Sequence, residues 1–62
     1  MKPSNVFRAE IIKIVDMPNM LLSRMISCVH EGNGKLSEDN RMKYFSMLTE
    51  DEIERIEKAY ND

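Results

Sequence analysis

Pro18 and the run Gly32-Asn33-Gly34 constrain this chain more than any other feature, because each interrupts an apolar pattern of helical period. Proline removes a backbone donor and pushes the residue before it, Met17, out of the helical region. Glycine ends helices by taking the left-handed conformation cheaply. These breaks, with a Ser37 and a Thr49 placed as helix caps, divide 62 residues into four short segments. The expected fold is all-α: a small bundle of three to four short helices, with a helix-turn-helix arrangement as a variant. One domain spans residues 1–62, with helices at about 5–15, 17–30, 38–47 and 50–60.

The first helix has Ser4 as its cap and Phe7, Ile11, Ile14 and Val15 as its inward face, broadened by Ile12. The β-branched cluster at 11–15 makes a short strand the competing reading. The i, i+4, i+7, i+8 spacing favours helix. The second helix starts at the Pro18 break, capped by Asp16 or Met17. It carries Leu22, Met25, Ile26 and Val29 as its stripe, flanked by Leu21 and Cys28. Its ten nearly apolar residues predict the central helix. Asn33-Gly34 would also suit a hairpin turn, but no alternating strands flank it. It reads as a helix stop and loop, anchored by Leu36. In the third helix Met42, Phe45 and Leu48 face inward and Tyr44 sits at the edge. The fourth opens on Thr49-Glu50-Asp51-Glu52, a capping-box pattern. Ile53, Ile56 and Tyr60 form its seam, and Asp51/Arg55 and Glu54/Lys58 stand at i, i+4 spacing.

A chain this short buries only about 60% of the surface that unfolding exposes. Cys28 is the single cysteine and His30 the single histidine. They exclude an internal disulfide and a structural zinc site, which takes about four ligands. Helix packing or a partner must supply the stability. The lone thiol points to the reducing cytoplasm. No run approaches the roughly 20 apolar residues of a membrane span, and Met1 to Asn5 lacks a signal peptide's apolar stretch. The formal net charge is −2; residues 1–35 hold five basic and three acidic side chains, and residues 36–62 hold four basic and eight acidic ones. Neither half has the dense basic stripe of a nucleic-acid binder.

Few residues have a chemical look. His30-Glu31 beside Gly32-Asn33-Gly34 imitates a base next to a phosphate loop. A histidine at a helix C-terminus followed by a glycine stop explains it better, and Glu38 and Asp39 would repel phosphate. Cys28 and His30, two apart on a helix, point to different sides, so Cys28 reads as a buried structural thiol. The acids at 50–57 lack the spacing and glycine of a calcium loop. No catalytic, cofactor or metal residue is assigned, and the chain is expected to be non-enzymatic. Of the six methionines, Met20 and Met47 lie off the main stripes. With Tyr44 and Tyr60 they are the candidate protein-binding residues, for a protein partner or a homodimer. For DNA as the alternative partner, Asn40, Arg41 and Lys43 are the only set suited to base edges or phosphates.

One resemblance spans residues 11–60. It is carried by Val15-Asp16-Met17-Pro18, Leu21-Leu22, Asn33-Gly34-Lys35-Leu36-Ser37, Arg41, Phe45, Leu48-Thr49-Glu50-Asp51-Glu52-Ile53 and Ile56-Glu57. This pattern resembles the C-terminal helical segment attached to some bacterial Fic-family proteins. The resemblance implies an accessory module, cut from a longer protein or standing alone; a small helix-turn-helix-like DNA-binding regulator or an antitoxin-like partner is the alternative function. The stretch after Leu-Ser tends to be basic in that pattern, whereas here it is Glu38-Asp39-Asn40. His30 to Lys35 echoes the Fic catalytic motif, but its spacing is too short and its phenylalanine is missing. No catalytic role is carried over.

Overall fold

The punctuation read from the sequence becomes four helices in the computed structural model, which describes residues 3–62: α1 (Ser4–Ile14), α2 (Asn19–Glu31), α3 (Glu38–Tyr44) and α4 (Glu50–Asn61). No strand occurs among the described residues. The fold is a small all-α bundle, and the β-branched cluster at 11–15 is helical up to Ile14.

The helix starts differ from expectation. Ser4 does not cap α1; it lies inside the helix, and Pro3 is the cap with φ −59° and ψ 151°. The Pro3 carbonyl accepts from Val6 and Phe7 N–H at 3.1 and 3.0 Å. Likewise Pro18, not Asp16 or Met17, precedes α2, with φ −61° and ψ 153°. Proline's fixed φ suits the extended residue before a helix, and both prolines satisfy the first turn through a carbonyl alone. Ser37 and Thr49 behave as read. Ser37 Oγ accepts from Asn40 N–H at 3.2 Å. The Thr49 box closes from both sides, with Glu52 N–H on Thr49 Oγ1 at 3.1 Å and Thr49 N–H on Glu52 Oε1 at 2.9 Å.

The end of α2 is a Schellman motif. Gly34 N–H bonds the Val29 carbonyl at 2.8 Å and Asn33 N–H bonds that of His30 at 3.1 Å. The positive-φ residues are Asn33, φ 53°, and Gly34, φ 97°, rather than Gly32; asparagine tolerates that region through its short polar side chain. Gly32 has a different reason to be glycine. A Cβ there would run into the Lys35 carbonyl oxygen.

The core holds Phe7 and Ile11 of α1, Leu22, Met25 and Val29 of α2, and Ile53, Ile56, Ala59 and Tyr60 of α4. Leu36, Phe45 and Leu48 fill it from the connecting segments. The helix that packs along two others is α1, which contacts α2 and α4. The central place expected for α2 is corrected accordingly: α2 buries a single stripe and exposes Ser23, Arg24, Ser27 and His30. Ile12 stays exposed and does not broaden the face of α1. Phe7 meets Tyr60 edge to face, with ring centroids 5.1 Å apart, an arrangement aromatic quadrupoles favour.

The third helix is shorter than its expected 38–47. It ends at Tyr44 and buries none of its own residues fully. Phe45, at φ −126° and ψ 29°, leaves the helical path. That turn lets Phe45 and Leu48 enter the core while Met42, expected inward, is 71% exposed. The apolar period was real, but the backbone unwinds to satisfy it. On α4, Asp51 and Arg55 form the i, i+4 pair at 3.9 Å. The Glu54/Lys58 pair is not formed.

Candidate functional site

The candidate protein-binding residues scatter, and two of them come together. Met20, in the first turn of α2, and Tyr44, at the end of α3, both line an open groove of about 430 Å³ between these helices. Ser23, Arg24, Cys28, Glu31 and Asn40 also line it. Met20 is 83% exposed, the most of any large apolar side chain among the described residues. Met47, 63% exposed in the connection from α3 to α4, does not line this groove. Tyr60 corrects its reading as a contact residue. It is only 5% exposed, packed in the core, and its hydroxyl hydrogen-bonds His30 Nδ1 at 3.0 Å. As a seam residue of α4 it faces α1, so no partner can reach its ring.

Helix geometry explains the split. Met20, Arg24 and Cys28 repeat every four residues and share one face of α2. Asn40 and Tyr44 do the same on α3. Across the groove the Arg24 guanidinium lies 4.2 Å from the Tyr44 ring centroid, and Lys43 Nζ lies 5.8 Å from it. Both fall within the roughly 6 Å over which a cation is attracted to an aromatic face. Arg8 of α1 donates to Ser23 Oγ at 3.0 Å, adding a third cation on this flank.

The residues of the DNA alternative divide differently. Asn40 lines the groove, and Lys43 lies beside the Tyr44 ring. Arg41 points to the other flank, 3.8 Å from Glu50, where Leu36, Glu38, Ile53, Glu54 and Glu57 surround it. The three do not form one basic surface.

Cys28 is half-buried against the core. Burial pushes its thiol up from the ordinary value, Glu31 adds to the rise and Arg24 works against it. A thiol held protonated is a poor nucleophile. His30, which would have to serve as its base, has its Nδ1 engaged by Tyr60. Among the described residues no three His, Cys, Asp or Glu side chains converge to hold a metal ion, and no helix is long and apolar enough to cross a membrane.

A second cluster has a purely architectural role. Glu57 Oε2 accepts from Leu36 N–H at 2.7 Å, and Asn61 Nδ2 donates to the Glu57 and Gly34 carbonyls at 2.8 and 3.4 Å. These bonds latch the 32–37 loop onto α4. Arg24 and Glu57 are the two residues that reading the sequence missed. Arg24 was legible in part, since it stands four residues after Met20 on one face. Its approach to Tyr44 crosses between helices, and no local pattern carries that. No family model, curated protein or solved structure matches the chain.

Proposed function

We propose that this chain is a non-enzymatic helical interaction domain that binds a protein through the groove between α2 and α3. One observation supports this most: the groove sets the exposed Met20 beside a Tyr44 ring already flanked by Arg24 and Lys43. An exposed flexible thioether next to an amphipathic aromatic and an arginine is the composition that protein interfaces concentrate.

The resemblance to the helical segment of Fic-family proteins agrees with an accessory role, and the positions that carry it are instructive. Leu36, Phe45, Leu48, Ile53 and Ile56 are core, Ser37, Thr49 and Glu52 are capping residues, and Glu57 is the latch. The shared pattern thus describes a scaffold. Met20, Arg24 and Tyr44 lie outside it, so partner choice would be particular to this chain.

Site-specific photo-crosslinking tests the reading. A photoreactive residue at position 20 should give a discrete protein adduct in the cells that produce the chain, with another protein or a second copy. The same residue at the exposed position 58 should not. Adducts at neither position, with the mass of a monomer by light scattering, would overturn the proposal.

A further inference from the structure

We propose that the Met20 end of the groove docks an acidic partner segment, one that presents a carboxylate beside an apolar side chain. This inference rests on the interaction reading above and names the chemistry of the partner.

Charge complementarity carries it. Arg24 and Lys43 converge on one ring, and neither forms an ion pair among the described residues, where the pairs are Arg41–Glu50 and Arg55–Asp51. The chain has eleven acids against nine bases, yet it leaves this end of the groove without a carboxylate partner. Glu31, the acid that does line the groove, is seven residues from Arg24 along α2, about 10 Å at the helical rise. The groove is therefore polarised. A carboxylate is welcome at the Arg24 end and repelled at the Glu31 end. Met20 supplies the apolar contact, and exposed charges, screened by salt, orient the segment more than they hold it.

Nucleic acid fits the same end less well. The Tyr44 face that a base would stack on carries the Arg24 guanidinium at 4.2 Å. Glu31 inside the groove and Glu38 and Asp39 at the start of α3 oppose a phosphate chain.

The test uses the full chain, isotope-labelled, and short labelled peptides of equal length built from Leu and Glu, Leu and Lys, or Ser and Glu. The Leu/Glu peptide should shift the amide signals of Met20, Arg24 and Tyr44 and lose affinity as salt rises. Arg24→Glu, an exposed change that leaves the helical circular dichroism intact, should weaken it roughly tenfold or more, the scale of a lost and reversed charge contact. The Leu/Lys peptide should then prefer the Arg24→Glu/Lys43→Glu double variant. Equal binding of Leu/Lys and Leu/Glu by the unaltered chain, equal binding of Ser/Glu, a stronger response of these amides to oligothymidylate, or no binding would each overturn the inference. A position-20 adduct that persists in Arg24→Glu would sink the acidic-partner inference while leaving the interaction reading standing.

Discussion

The two ends of α2 differ sharply. At its C-terminal end every joint is closed: the Schellman turn returns to Val29 and His30, Leu36 is tied to Glu57, and Tyr60 fills the space against Phe7. At its N-terminal end Met20 stands in solvent, and across an open groove Tyr44 and Asn40 of α3 face α2, with Arg24 over the Tyr44 ring. The first region spends its polar groups on the fold. The second keeps them facing outward. A small domain with a marginal core can leave only part of its surface uncommitted, and that part is the natural place to look for binding.

The largest break should come from Phe7→Ala. It removes a fully buried ring and its edge contact with Tyr60, at a cost of about 3–5 kcal/mol. In a chain of this size that loss should show as unfolding or as a melting transition lowered by well over about 12 °C in calorimetry. A chain that still melted near its original temperature would mean the α1–α4 seam is not the core.

Gly32→Ala should follow. The added Cβ meets the Lys35 carbonyl oxygen, a backbone atom that cannot rotate away. Reopening the turn should cost about 2 kcal/mol, read as a shift of the urea midpoint. Unchanged stability would show that the loop relaxes without strain. Glu57→Ala should cost about 1–3 kcal/mol by leaving the part-buried Leu36 N–H without its acceptor. Hydrogen exchange should speed up first at the Leu36 amide, and equal acceleration over the whole chain would argue against a local latch.

The smallest stability effect belongs to the open end. Met20→Asp should stay within about 0.5 kcal/mol of the parent, as surface changes do, while abolishing binding of the Leu/Glu peptide. A large destabilisation would place Met20 in the core and dissolve the contrast between the two ends.

The sequence by itself determined the helices and where they break. Pro18, Gly32, Ser37 and Thr49 act through local backbone chemistry, and a cap or a stop needs only its neighbours. It also determined most of the core, because Phe7, Ile11, Leu22, Met25, Val29, Ile53 and Ile56 keep helical spacing. The tertiary structure decided the rest. Periodicity pointed Met42 inward together with Phe45, but a seven-residue α3 that unwinds at Phe45 delivers one and exposes the other. Tyr60 had the composition of a contact residue and became core because α1 lies across it. The Glu57 latch and the meeting of Arg24 with Tyr44 join residues about 20 apart in sequence, and only the packing of one helix against the next sets such distances.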